Sequence, residues 1–117
     1  MAFDRNSGMA GRQTYIGHIK LAGVTFDGRQ DIIRELNGDE IVIFKPEPDN
    51  QYDQFAVAVL LTDGTHLGYI PKEYNQKFFE DITQNRGVYK AKISQITGGG
   101  FDTSYGVNIE YIYEEKQ

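Results

Sequence analysis

The stretch "FAVAVLLTDGTHLGYIP", residues 55–71, decides the fold class. Asp63-Gly64 is the strongest short hairpin signal in the chain, because Asp-Gly adopts the left-handed turn conformations that join two antiparallel strands. We therefore predict strands at residues 55–62 and 65–71. The first of them is almost continuously apolar, which indicates burial on both faces or a place in a barrel wall.

Further strands are predicted on both sides of this hairpin. Residues 39–48 form a similar strand, with a continuous apolar centre at residues 41–44 that again indicates burial on both sides or a place in a barrel wall. Residues 15–26 are rich in β-branched side chains and predict the first strand. Residues 88–96 and 107–113 alternate apolar and polar side chains, so each should turn one face to the core.

A short helix is predicted at residues 27–38. Asp27 is suited to cap it, and Asn37-Gly38 to end it. Two turns of helix are marginal in water, so this helix must pack against the strands. Its apolar stripe consists of Ile32, Ile33 and Leu36.

A longer helix is predicted at residues 72–84. Pro71 suits its first turn and Gly87 its end. Its apolar face consists of Tyr74, Phe78 and Ile82, which are four residues apart. Adjacent short strands with one short and one longer helix inserted between them indicate a mainly β fold, a small antiparallel barrel.

Composition limits the domain count and the kind of partner. The chain has 117 residues, enough for one domain, which we place at 15–114, with a disordered arm at 1–14 and a frayed end at 115–117. There is no cysteine, in agreement with a cytoplasmic location, and no apolar stretch near the roughly 20 residues that span a membrane. A net charge of −5 counts against coating nucleic acid along its length, but not against binding one strand end.

No enzyme or cofactor motif is complete. A nucleotide-binding P-loop is missing, and the glycine triplet at 98–100 does not continue into a dinucleotide-binding pattern. "DNQYD" begins like a calcium loop, but Gln54 and Leu60 stand where such a loop needs Gly and Glu. Asp49 and Asp53 lack the nucleophile and orienting group of a catalytic set. We therefore expect no enzyme activity, no metal and no cofactor.

Four segments carry a more specific pattern: "AGVTFDGRQ" (22–30), "PEPDNQYDQFAVAV" (46–59), "DGTHLGYIPKE" (63–73) and "TGGGFDTSYGVNIE" (97–110). The most distinctive part, N-x-Y-D-x-x-A-V, is formed by Asn50, Tyr52, Asp53, Ala56 and Val57. In this order and at these spacings the chain resembles the HIRAN domain family. The similarity covers residues 16–113, nearly the whole predicted domain.

The resemblance implies a six-stranded, OB-like barrel, which agrees with the strand order above. In eukaryotes the family lies at the N-terminus of fork-remodelling, helicase-like ATPases, and in bacteria and phages it also occurs alone. Characterised eukaryotic members bind single-stranded DNA at a free 3′ end. Aromatic side chains stack on the terminal bases, and an aspartate accepts a hydrogen bond from the 3′ hydroxyl. The resemblance thus implies binding of such an end in DNA repair or stalled-fork processing, beside a helicase or replication protein.

Carried over residue by residue, this resemblance marks seven candidate nucleic-acid contacts: Thr25, Phe26, Asn50, Tyr52, Asp53, Lys72 and Phe101. Tyr52 and Asp53 match the family's Tyr-Asp pair. Thr25 stands where DNA-binding members carry an arginine, so a cation near the phosphate is lost. Whether Arg29 replaces that cation is open at this point.

Two plainer interpretations stand beside the DNA-end hypothesis. Asn50, Tyr52 and Asp53 could form only a capping turn before the next strand, since Asn and Asp side chains bond their own backbone. Lys72 could only solvate a helix start, and Phe101 only hold a glycine-rich loop. The missing arginine and the negative charge also fit a protein-interaction module of a phage or plasmid cassette, in which the DNA pocket is idle.

Overall fold

A computed structural model describes residues 13–116 of the chain. Residues 1–12 and 117 lie outside the described part, and most of the arm predicted at 1–14 lies there too. The described residues form six strands and two helices: β1 (Thr14–Lys20), α1 (Arg29–Arg34), β2 (Ile41–Pro46), β3 (Val57–Leu61), β4 (His66–Tyr69), α2 (Lys72–Thr83), β5 (Gly87–Thr97) and β6 (Gly106–Glu115).

The strands make one antiparallel sheet in the order β1-β6-β5-β2-β3-β4. The ladder stays open, and its two edges meet at a single bridge, where the main chains of Ala22 and Tyr69 exchange hydrogen bonds of 2.8 and 2.9 Å. Gly68 permits this approach, since a Cβ there would lie 2.7 Å from the carbonyl oxygen of Ala22. The prediction of a mainly β, OB-like fold is confirmed, as a curled sheet closed at one point.

The predicted hairpin is confirmed, although both strands are shorter than predicted and the pairing register shifts between Val59 and Leu60. Gly64 has a φ of +93°, and the Asp63 carboxylate accepts a hydrogen bond of 2.9 Å from the amide of Thr65. The strand before the turn is buried on both faces, because Val57 and Val59 are 0 % exposed and Ala58 between them is 1 % exposed. The apolar run at residues 55–62 therefore indicated correctly that this strand is buried on both faces.

For β2, burial on both faces is wrong, and the strand is a central wall strand of the sheet with one exposed face. Only Val42 is fully buried there, whereas Ile41 is 64 % and Ile43 is 46 % exposed. No other part of the described chain covers the outer face of this strand, so its side chains alternate between core and solvent.

The hydrophobic core lies between the inner face of the sheet and the two helices. Its fully buried members include Ile33, Leu67, Ile93, Val107 and Ile109.

The first strand is shorter than predicted. It ends at Lys20 and not at Phe26, because Gly23 adopts a φ of +70° and the chain then turns. Asp27 does not cap α1, since the N-cap is Gly28 and no side chain bonds there. These differences place Phe26 on a turn that projects from the sheet.

Both predicted helix ends also differ from the structure. Helix α1 ends at Arg34, and the amides of residues 37–39 bind instead to the carboxylate of Glu40. Helix α2 ends at Thr83, and Asn85, with a φ of +55°, takes the left-handed position that we expected for Gly87. Gly87 instead begins β5.

Strand β6 runs two residues beyond its predicted end at Tyr113. Glu115 pairs with Gly87, and the amide of Lys116 donates to the carbonyl of Arg86. The pairing thus reaches into residues 115–117. Neither described helix is long and apolar enough to cross a membrane.

The buried face of α2 carries two polar residues that the apolar pattern did not predict. Asn75, Phe78 and Asp81 are buried, whereas Tyr74 is 50 % exposed. Asp81 accepts hydrogen bonds from the hydroxyl of Tyr89 at 2.6 Å and from Nζ of Lys77 at 2.9 Å. Burial and the bond to Asp81 raise the pKa of Tyr89 well above its usual value.

Replacing Asp81 with alanine is expected to lower the free energy of unfolding by about 1.5–3 kcal/mol, the usual range for hydrogen bonds to a charged group. The change leaves the half-buried hydroxyl of Tyr89 without its acceptor. Denaturant unfolding measures the loss. Asp31→Ala on α1 is the matched control, because its carboxylate is 80 % exposed and its ion pair with Arg34 contributes little. Equal losses in the two variants would contradict a structural role for Asp81.

Candidate nucleic-acid interface

A cleft of about 670 Å³ lies where the two edges of the sheet meet. Its walls are the turn after β1, the turn at residues 50–53 and the first turn of α2. Ala56 and Ile70, which are almost fully buried, belong to its lining together with half-buried Tyr69. Five of the seven predicted contacts lie in this cleft: Phe26, Asn50, Tyr52, Asp53 and Lys72.

Two aromatic rings stand at the rim of the cleft. Tyr52 is 91 % and Phe26 is 65 % exposed, unusually high values for side chains of this size. They come from separate turns, and each ring leaves most of its surface in solvent. A planar ligand group such as a nucleobase can stack on rings presented in this way.

Asn50 holds the turn that presents Tyr52. Its Oδ1 accepts hydrogen bonds from the amides of Tyr52 and Asp53 at 2.9 and 3.0 Å. Its Nδ2 donates to Glu47 at 3.0 Å, and the same Glu47 oxygen accepts the hydroxyl of Tyr69. The turn-closing interpretation therefore describes the observed bonds of Asn50, although the residue also lines the cleft.

Asp53 keeps hydrogen-bonding capacity at the cleft. Its Oδ1 accepts from the amide of Phe55 at 2.9 Å, and its Oδ2 accepts from Nδ2 of Asn75 at 2.7 Å. A carboxylate offers about four acceptor positions. A single main-chain amide and a single side-chain amide leave positions for a donor on a ligand.

Arg29 is a nearly buried cation in the wall of the cleft, 7 % exposed. Its Nη1 donates to the carbonyl of Gly23 at 2.8 Å, and its guanidinium lies 5.5 Å from the centre of the Tyr69 ring. The carboxylate of Asp27 is 3.4 Å away but 82 % exposed. Together with Lys72, Arg29 places two positive charges in the cleft of a protein whose net charge is −5.

His66 completes the surroundings of Arg29. Nε2 of the ring lies 2.9 Å from the carbonyl of Gly68, which only accepts, so this nitrogen carries the proton. Nδ1 is then the acceptor for Nη2 of Arg29 at 3.2 Å. Burial, followed by the charge of Arg29, lowers the pKa of His66.

This lowered pKa makes the fold sensitive to acid. As the pH falls below the ordinary histidine pKa of about 6.5, the unfolded chain binds a proton before the folded one, so stability is lost. We expect denaturant unfolding to show falling stability between about pH 7 and pH 5. His66→Gln should weaken that slope, whereas His18→Gln, a change at an exposed histidine, should keep it. An unchanged slope in the first variant would contradict the assignment.

Thr25 and Phe101 lie elsewhere. Thr25 is exposed but does not line the cleft, and Phe101 is 95 % exposed in the loop between β5 and β6. Sequence reasoning missed Tyr69 and Asn75 as lining residues and left the place of Arg29 open. Tyr69 and Asn75 occur in or just after the matched segment 63–73, which was the signal that sequence offered for them.

Within residues 13–116, no group of three His, Cys, Asp or Glu side chains is placed to hold a metal ion.

The fold and the cleft together place the protein in a class of domains: small, OB-like β domains with an aromatic-rimmed groove where the sheet closes. Comparison with known families then identifies the family within this class. The sequence profile of the HIRAN domain matches residues 16–111. The chain belongs to the HIRAN domain family, so the resemblance seen in the sequence is confirmed.

Solved structures agree on the fold at low sequence identity. A crystal structure of a protein from Lactobacillus plantarum is 18 % identical, with a TM-score of 0.69, and the match covers 91 % of this chain and 100 % of that one. The crystal structure of the HIRAN domain of human HLTF is also 18 % identical, with a TM-score of 0.66 over 89 % of this chain and 77 % of that chain.

A third solved structure is an NMR structure of the HLTF HIRAN domain in its DNA-bound conformation. It is 18 % identical, with a TM-score of 0.61 over 89 % of this chain and 76 % of that chain. No curated protein gives a significant match.

Proposed function

We propose that this chain binds single-stranded DNA at a free 3′-hydroxyl end, in DNA repair or stalled-fork processing. The observation that carries the proposal is the placement of the Asp53 carboxylate in one cleft with the exposed rings of Phe26 and Tyr52. Membership of the HIRAN family supports it, as does the similar HLTF domain, which has a DNA-bound conformation.

The chemistry of the cleft favours a strand end over a strand interior. A carboxylate repels phosphate groups but accepts a hydrogen bond from a sugar hydroxyl, an interaction of about 1.5–3 kcal/mol. Stacking on an aromatic ring contributes roughly 1–3 kcal/mol per base. Two rings and one end contact therefore supply useful affinity to a protein whose net charge is −5.

Arg29 and Lys72 supply the cations for the neighbouring phosphate. Arg29 takes over the charge that the family arginine provides at the position of Thr25. The guanidinium already lies in the cleft wall, and among the described residues its ion pair is with Asp27, whose carboxylate is largely in solvent. A phosphate that reaches it would gain a charge-assisted hydrogen bond.

The wider setting is part of the same proposal. The domain acts as a binding module without catalysis of its own, in the cytoplasm, beside a helicase or replication protein. Absence of cysteine fits a reducing compartment. The family's association with helicase-like ATPases in eukaryotes supports the choice of partner.

Titration of three fluorescent oligonucleotides tests the proposal. They share one sequence and carry a free 3′ hydroxyl, a 3′ phosphate, or blocks at both ends. We expect tight binding only to the free hydroxyl, because the phosphate meets the Asp53 carboxylate with like charge. An RNA version of the first strand compares DNA with RNA. Equal, weak binding to all three would contradict the proposal and favour the protein-interaction module.

A further inference from the structure

We infer that Asn75 is a specificity-determining residue, which binds the terminal hydroxyl jointly with Asp53. This inference rests on the proposed function and extends it to a residue outside the family's Tyr-Asp motif. Asn75 lies in the first turn of α2, lines the cleft and is 4 % exposed. It is thus a buried amide at the wall of a ligand groove.

The orientation of the Asn75 amide follows from its partner. Its side-chain nitrogen lies 2.7 Å from Oδ2 of Asp53, and a carboxylate oxygen only accepts, so Nδ2 must face Asp53. This nitrogen carries a second hydrogen, and Oδ1 carries two acceptor positions. Among residues 13–116, these groups of Asn75 have no hydrogen-bond partner.

Such spare capacity is unusual at a buried position. Buried side-chain amides normally have their polar atoms paired, and an unpaired one lowers stability. The other buried polar residue on this helix, Asp81, is paired with both Tyr89 and Lys77. Asn75 differs from it in lining the cleft, where a ligand can supply the missing partner.

A hydroxyl fits this pair better than other strand ends do. A hydroxyl both donates and accepts, so it can donate to Asp53 and accept from the second N–H of Asn75. A terminal phosphate brings negative charge to the carboxylate, and a dideoxy end offers neither a donor nor an acceptor. The pair therefore distinguishes the hydroxyl from both alternatives.

The test compares affinities for two DNA strands that differ only in a 3′ hydroxyl or a 3′ dideoxy end. Asn75→Ala is expected to reduce the ratio of the two affinities by about fivefold or more, the equivalent of one hydrogen bond. Gln76→Ala is the matched control, since it removes an exposed amide from the same helix outside the cleft. The control should keep the ratio of the unchanged protein. Thermal melting reports the folding of each variant.

Asn75→Asp keeps the shape of the side chain and keeps the test informative if the alanine variant does not fold. A proton taken up by two carboxyl groups this close lies between them, so neither group has a hydrogen left to donate to the ligand hydroxyl. We therefore expect the ratio to fall in this variant as well. A variant that only lost packing would weaken binding to both strands and keep the ratio.

The two hypotheses fail in different ways. If the unchanged protein prefers the hydroxyl and both Asn75 variants keep that preference, the role of Asn75 is overturned while the proposed function stands. If the unchanged protein shows no preference, the proposed function fails, and the inference about Asn75 fails with it. A reduced ratio in both variants, with the ratio kept in Gln76→Ala, supports both.

Discussion

Replacing Asp53 with alanine is expected to weaken binding to a strand with a free 3′ hydroxyl by about tenfold to a hundredfold, the equivalent of a hydrogen bond to a charged acceptor. The Asp53 carboxylate has acceptor positions left after its bonds to Phe55 and Asn75, and it lines the cleft. Fluorescence anisotropy with the hydroxyl, phosphate and dideoxy ends measures the effect. The preference for the hydroxyl should disappear, and binding to the phosphate end should improve.

Asp49→Ala is the matched control for this change. Asp49 precedes the same turn, is exposed and carries the same charge, but it does not line the cleft. Both substitutions change the net charge equally, so a general electrostatic effect would appear in both variants. Asp53→Ala with unchanged end preference, or an equal loss in Asp49→Ala, would contradict end recognition by Asp53.

Loss of the rim aromatics should weaken binding in a different pattern. Tyr52→Ala and Phe26→Ala each remove a stacking surface worth roughly 1–3 kcal/mol per base, so affinity should fall by about fivefold to a hundredfold. The fall should be the same for hydroxyl and phosphate ends, because stacking does not depend on the terminal group. Both rings are largely exposed, so melting temperatures should change little.

Tyr74→Ala serves as the control for these aromatic variants. Tyr74 is 50 % exposed on α2 and lies outside the cleft lining. Its removal should leave affinity unchanged for every strand. Full affinity in both Tyr52→Ala and Phe26→Ala would show that the cleft does not stack bases, and the protein-interaction alternative would then be favoured.

Local sequence was a good guide wherever the physical cause is local. The Asp63-Gly64 turn depends on the conformational preferences of two adjacent residues, and it was predicted correctly. The alternation of apolar and polar side chains likewise predicted the positions of the paired strands β5 and β6. At Ile41 and Ile43 the sequence left burial on both faces and a place in a barrel wall open, and only the second holds. An apolar run does not reveal whether a second layer of structure covers the strand.

Sequence by itself determined the mainly β class, the hairpin, the family and the candidates Tyr52 and Asp53. Only the tertiary structure decided that Arg29 and Asn75 belong to the same cleft. Asn75 meets Asp53 across 22 positions of sequence, and Arg29 meets His66 across 37. The periodicity of side chains along a strand or helix shows which of its faces is apolar. The hydrogen-bond partner of a buried polar side chain comes from a distant part of the sequence, which approaches only when the sheet curls and its edges meet.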